Sequence, residues 1–285
     1  MGKTLIRAFW CLLLAGALAW LAILMWPGHP VTSWLTTRPI IAQAVAFPTL
    51  LAVAGAGVLI VALLVALRRA TSGATRAFAG LTAVACAVSS LMAVADPYGA
   101  ARYQARGVPA IGCADMQAYR VTTYNALDTL TTQTLARLLA DKPDYLVLPE
   151  VSPDTPALAG GVPGYQVFAS TSGKAHIAPT LTLVSDRLAR DESRPDLIAG
   201  DFNATLLHGG LASYAGAHSH LGADAALATH TIEGTWPVGG VLGMRAPIDH
   251  IMVMQGPPAN SEDITYQQLG DSDHLAVSAT TSICR

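Results

Sequence analysis

The sequence predicts a membrane region of three helices followed by an α/β sandwich. Three observations lead there. Long charge-free runs crowd the first hundred residues. Short β-type runs alternate with helical patterns after residue 118. The β-type runs end in, or begin from, polar residues able to bind a metal or move a proton.

The apolar runs come first. The chain is 285 residues long, 52% hydrophobic and only 13% charged, too apolar for an ordinary soluble protein. Residues 8–26, 39–67 and 77–95 carry no charge, and each run is long enough to cross a hydrocarbon core. A cleaved signal peptide would explain only the first run. Lys3 and Arg7 precede it, and Arg68, Arg69 and Arg76 lie between the second and third. The loop between the first and second holds Arg38 alone. The positive-inside bias therefore puts the N-terminus and the second loop in the cytoplasm. Three spans then place the rest outside, which predicts a multi-pass protein of the cell membrane with an extracytoplasmic domain. No Asp, Glu, Lys or Arg lies within the spans, which argues against a transport path.

From Ala101 onward the chain has 11 Lys+Arg and 18 Asp+Glu, and 11 − 18 = −7. That balance is no footprint for non-specific nucleic-acid binding. Cys11 and Cys86 lie inside spans. Cys113 and Cys284 flank the outer domain, where an oxidising compartment allows them to pair.

Residues 1–96 thus form the membrane region, and residues 97–118, rich in Pro and Gly, a linker. The domain over 119–285 opens on a strand at 119–125 with β-branched Val121, Thr122 and Thr123. A helix follows over 129–140, capped by Asp128 or Thr129, with Leu130, Leu135, Leu138 and Leu139 near one face. A turn at 142–144 leads to an apolar strand at 145–148. Further strands are expected at 165–169, 176–184, 196–200, 248–254 and 275–281, with a short helix at 185–194. Residues 206–234 show weak helical patterns around 206–214 and 224–228. His208, His218, His220 and His230 in that stretch match no standard zinc spacing. If the first and last strands are antiparallel neighbours, Cys113 and Cys284 meet.

Five stretches carry the chemistry: VTTYN (121–125), YLVLPE (145–150), LIAGDFNAT (197–205), PIDHIMV (247–253) and SDHLAV (272–277). Asp201 and Asn203 are two apart in extended chain and share a face. A hard cation such as Mg²⁺ or Mn²⁺ takes oxygen ligands, for which Glu150, Asn125 and one C-terminal aspartate are the candidates. Asp201, held by Asn203, suits the orientation and deprotonation of a water. A charged histidine, its tautomer set by Asp249, would stabilise charge on a phosphoryl group.

Asn125, Glu150, Gly200-Asp201-Phe202-Asn203, Ile248-Asp249-His250 and Ser272-Asp273-His274, in this order, resemble the endonuclease/exonuclease/phosphatase superfamily. Thr235-Trp236-Pro237 adds to the likeness, which covers residues 119–285 and is greatest to bacterial members with N-terminal spans. The resemblance implies a four-layer, DNase I-like α/β sandwich and hydrolysis of a phosphoester. The substrate could be a nucleic acid, a lipid headgroup or a small phosphoester, and no protein partner is inferable. Asn125, Glu150 and Asp273 would bind the metal. His176, Asp201, Asn203, Asp249 and His274 would be catalytic, with Asp249 supporting His274 and His176 contacting the phosphate. Two departures stand out. Only 50 residues (200 − 150) separate Glu150 from Gly200 where the family carries additional strands, which implies a shortened sheet. Pro149 stands where the family has Gln before the metal-binding Glu. The alternative reading is a catalytically degenerate member acting as a binding or scaffold domain.

Overall fold

Pro48 divides the longest apolar run. The computed structural model describes residues 2–68, 71–98, 116–152, 155, 161–170, 178–188, 197–215, 223–229, 231–240, 243–253 and 263–284. It separates into two units, Met1–Ala101 with Leu206–Ser213, and Arg102–Thr205 with Tyr214–Arg285.

The first unit contains α1 (Gly2–Met25), α2 (Pro30–Thr36), α3 (Pro39–Ala46), α4 (Pro48–Leu67) and α5 (Gly73–Ala95). The single span expected over 39–67 is thus two helices. Proline lacks the N–H a continuing helix needs and pushes the residue before it out of the helical region. Phe47 accordingly sits at φ −122° and ψ 68°. Thr4–Met25, Pro48–Leu67 and Gly73–Ala95 remain long and apolar enough to cross a membrane. The loop after the first span also folds, as α2. Ser72 caps α5 by accepting from Thr75 N. Gly55 lets α4 approach α5, because a Cβ there would lie 2.6 Å from Ser90 Oγ. Ser90 Oγ donates to the Ala52 carbonyl at 3.0 Å, a polar link of the kind that joins helices in lipid. Leu207 is buried in this unit with Ile23, Leu24, Val45, Ala52 and Ala93.

The second unit runs β1 (Met116–Thr123), α6 (Thr132–Ala140), β2 (Tyr145–Leu148), β3 (Tyr165–Ser170), β4 (Thr180–Ser185) and β5 (Leu197–Asp201). Along the chain the short helix α7 (Gly209–Ala215), most of which belongs to the first unit, follows β5. The second unit then continues with β6 (Ala223–Asp224), α8 (Ala225–Thr229), β7 (Asp249–Val253), β8 (Ile264–Gln268) and β9 (Leu275–Cys284). One sheet has six strands in the order β3-β4-β2-β1-β9-β8, and the other, β5-β7-β6, has three. β1 and β2 are parallel, bridged by α6. The other pairings are antiparallel.

Side-chain alternation along the strands separates two cores. Leu146 and Leu148 of β2, with Leu181 and Leu183 of β4, pack on Leu135 and Leu138 of α6. Val121 of β1 and Val277 and Ala279 of β9 face the other way and meet Ile251 of β7 and Ala225 of α8. The result is the expected sandwich, with the shortened sheet being β5-β7-β6 among the described residues. Helix α6 starts later than expected, because Thr131 and not Asp128 or Thr129 caps it, accepting from Thr134 N at 3.1 Å. Asp128 instead turns at φ 60°. β8 was not expected at all, although Ile264 and Tyr266 alternate as an edge strand should. The helix expected at 185–194 falls mostly outside the described residues. β1 and β9 are antiparallel neighbours with Met116 opposite Cys284, and Cys113 lies outside the described residues.

Leu183 is fully buried on β4 between the first sheet and α6. Leu183→Ala is expected to destabilise the second unit by about 2–5 kcal/mol. A lowered urea midpoint for that unit in the detergent-solubilised protein would show it, and an unchanged midpoint would refute this packing.

Candidate active site

The ends of four strands converge at one rim of the sandwich. β1 continues as a ladder past its last residue, with Tyr124 N donating to Val147 O and Ala126 N to Pro149 O. Asp128 N then donates to Glu150 O at 2.8 Å, so the loop carrying Asn125 lies beside Glu150. Glu150 itself holds φ 54°. A left-handed backbone at a residue other than glycine costs about 1–3 kcal/mol, and such strain concentrates at functional sites. From the second sheet, β5 arrives through Gly200, whose φ of 149° suits glycine; a Cβ there would stand 3.7 Å from Pro149 Cγ.

Asp201 ends β5 opposite Asp249, the first residue of β7. Asp201 Oδ1 accepts from Asn203 N at 2.7 Å in a turn where Asn203 adopts φ 49°. Asn125 Nδ2 donates to Asp201 Oδ2 at 3.0 Å, and Asn203 Nδ2 approaches the same oxygen at 3.5 Å. His274, just before β9, donates from Nδ1 to Asp249 Oδ2 at 2.9 Å. Its Nε2 lies 3.9 Å from Asp201 Oδ2 and 3.8 Å from Asp273 Oδ1. One ligand atom each from Asp201, Asp249 and His274 falls within 4.8 Å of the others, so these three could also hold a metal ion. The structure therefore brings Asn125, Asp201, Asn203, Asp249, Asp273 and His274 together, with Glu150 at the adjoining strand end. His176 lies outside the described residues.

Residues beyond the expected set hold this arrangement. Ser272 Oγ donates to Asn125 O at 2.7 Å and accepts from His274 N at 3.1 Å, fastening the last loop to the first. Trp236 Nε1 donates to Asp273 Oδ2 at 2.8 Å. Thr235 Oγ1 accepts from Ile248 N and Asp249 N, steadying the entry to β7. Their adjacency to the SDH, TWP and IDH stretches is the only sign of them in the sequence.

Burial shapes the electrostatics. It raises the pKa of Asp201, reinforced by nearby Asp249, against hydrogen bonds from Asn203 and Asn125 and the charge of His274. For His274, burial favours the neutral ring, but the hydrogen bond to Asp249 and the charges of Asp249, Asp201 and Asp273 outweigh it. The net pKa is raised, so the imidazolium persists above the ordinary 6.5. Asp249→Asn removes the main opposition to burial. His274 is expected to lose its proton at lower pH in that variant, read from imidazole resonances in an NMR titration. An unshifted midpoint would contradict this account.

The fit to a divalent cation can be read from the donors. Asp249 Oδ1 and Asp273 Oδ1 are buried and, among the described residues, accept no hydrogen bond. With Asp201 they place three carboxyl groups around one imidazole, and a hard cation takes oxygen ligands of this kind.

The model of the Endonuclease/Exonuclease/phosphatase family matches residues 122–274. No curated protein matches the chain. Among solved structures, D. rerio TDP2 complexed with single-strand DNA product is 15% identical, covers 57% of this chain and 98% of its own, and has a TM-score of 0.44. Caenorhabditis elegans TDP2 is 18% identical with coverages of 79% and 92% and a TM-score of 0.43. The endonuclease domain of the retrotransposon TRAS1 is 14% identical with coverages of 58% and 98% and a TM-score of 0.38. These likenesses are too weak to carry an assignment. The family match spans 153 of 285 residues (274 − 122 + 1) and contains every site residue just placed, from Asn125 to His274. On that match the chain belongs to the endonuclease/exonuclease/phosphatase family, a family of divalent-metal-dependent phosphoester hydrolases.

Proposed function

We propose that this chain is a membrane-anchored Mg²⁺- or Mn²⁺-dependent phosphoester hydrolase whose catalytic domain faces away from the cytoplasm. The observation that carries the reading is the cluster of Asp201, Asp249 and His274, with Asn125 and Asp273 against it. Glu150, Asn125 and Asp273 would hold the cation. When bound, it would polarise the phosphoryl oxygen and stabilise the leaving oxygen.

The chain's own groups do the rest. Asp201 has hydrogen-bond donors on both oxygens, which aim the carboxylate, and burial makes it more basic than an ordinary aspartate. It orients the attacking water and takes its proton. Asn203 helps position the phosphate. His274 presents Nε2–H towards the same place, and its positive charge offsets charge developing on the phosphoryl oxygens. Asp249 orients the ring through Nδ1. His176 is proposed as a further phosphate contact on the family resemblance alone.

A phosphoester on a nucleic acid, a lipid headgroup or a small molecule meets these requirements. The net charge of −7 over the outer part (11 − 18) weighs against tight binding to a duplex. The test is hydrolysis of bis-p-nitrophenyl phosphate by the full chain with Mg²⁺, Mn²⁺ or EDTA. Metal-dependent turnover is expected, with Glu150→Ala and Asp201→Ala each lowering kcat by about 10³-fold or more. A folded protein inactive with either metal would favour the degenerate, binding-domain alternative.

The sidedness rests on Lys3, Arg7, Arg68, Arg69 and Arg76 on one side against Arg38, Arg102 and Arg106 on the other. Protease added outside intact cells should remove a C-terminal tag. A tag degraded only after the membrane is permeabilised would reverse the topology.

A further inference from the structure

A second aspartate–histidine pair, joining β6 to β7, is not used by the proposed chemistry. His250 follows Asp249 directly, and successive side chains on a strand point to opposite faces. Asp249 therefore reaches His274 while His250 turns into the interior, where its side chain and that of Asp224 are 3% and 0% exposed. His250 Nδ1 lies 2.8 Å from Asp224 Oδ2, and Nε2 lies 2.8 Å from Ala204 O. A backbone carbonyl only accepts, so Nε2 must carry a proton, and the proton at the other nitrogen is shared with Asp224. Asp224 is itself immobilised, since its Oδ1 accepts from Ala226 N at 2.9 Å and Leu227 N at 3.1 Å where α8 begins.

Ala204 is the residue immediately after Asn203. The turn from Asp201 to Ala204 is thus gripped at both ends. Phe202 N donates to Ile248 O at 2.9 Å on one side, and His250 holds Ala204 O on the other. The Phe202 ring also stands edge-on to the His250 ring, with centroids 5.7 Å apart and planes at 80°. Between the two grips lies the left-handed Asn203, whose N–H aims the Asp201 carboxylate.

We propose that His250, braced by Asp224, is a positioning residue that holds the Asp201–Asn203 turn in its working geometry through the Ala204 carbonyl. The proposal rests on the phosphoester-hydrolase reading above and adds a separate requirement to it. Without the clamp a half-buried carbonyl loses its donor and the left-handed turn can relax. Misplacement of a reacting group by about 1 Å is enough to cost about 10²-fold in rate. His250's ring bonds Asp224 and Ala204, and among the described residues it makes no hydrogen bond to Glu150, Asn125 or Asp273, the groups proposed above to hold the cation.

The test compares His250→Asn with His250→Gln in the full chain, using bis-p-nitrophenyl phosphate and Mg²⁺. Asn keeps a polar contact to Asp224 but is too short for Ala204, whereas the Gln amide reaches it. His250→Asn is expected to fold, keep its KM and Mg²⁺ affinity, and lose about 10²-fold in kcat. His250→Gln should recover to within about tenfold of the wild type. Unchanged kcat in the Asn variant, or an equal loss in both variants, would overturn the proposal. Should His250→Asn not fold, Asp224→Asn frees the ring to turn, and its kcat must fall for the proposal to survive. A wild-type protein without metal-dependent turnover would defeat the hydrolase reading itself, and the clamp with it.

Discussion

Three carboxylates gathered about one buried histidine set the terms for the rest of the sandwich. Asp201, Asp249 and Asp273 all lie within 4 Å of the His274 ring nitrogens. Buried charge of one sign is tolerated only where partners are aimed at it, and breaking such a pair costs several kcal/mol. The aim here is supplied from many directions. Asn125 and the Asn203 N–H serve Asp201, Trp236 serves Asp273, and His274 serves Asp249. What those donors leave unanswered, at Asp249 Oδ1 and Asp273 Oδ1, is the place where a cation would contribute most.

Two sheets deliver these groups because their inner faces are packed together. Val121, Val277 and Ala279 of the larger sheet lie against Ile251 of the smaller. That contact brings the ends of β1 and β9 to the ends of β5 and β7. Chain separation then ceases to matter: Asn125 and Asp201 are 76 positions apart and share a hydrogen bond. Ser272 closes the ring by tying the loop before β9 to the Asn125 carbonyl. The smaller sheet has three strands among the described residues, yet it still contributes two of the three aspartates around His274, Asp201 and Asp249. Loss of strands at its edge therefore need not reach the site.

β7 has a double role in this scheme. Its first two residues face opposite ways, one to the His274 imidazole and the other to the turn that carries Asp201. The long apolar helices satisfy a polar group internally, as helices in lipid must: Ser90 donates back to a helix carbonyl, and Gly55 permits the approach.

The sequence by itself determined the class of fold, the three apolar helices and the motif order, because these depend on local composition and period. GDFN ends its strand with a glycine followed by a carboxylate and an amide, and IDH and SDH each place an aspartate–histidine step at a strand edge, all visible without coordinates. The kink at Pro48 was also implicit in the residue type, though an unbroken apolar run concealed it. The resemblance had already paired Asp249 with His274, but only the tertiary structure decided that His250 serves Asp224. Asp249 precedes His250 in sequence yet bonds His274, since a strand sends neighbouring side chains to opposite faces. Asp224, Trp236 and Ser272 likewise gain their roles from packing across sheets, where partners are chosen by distance in space and not along the chain.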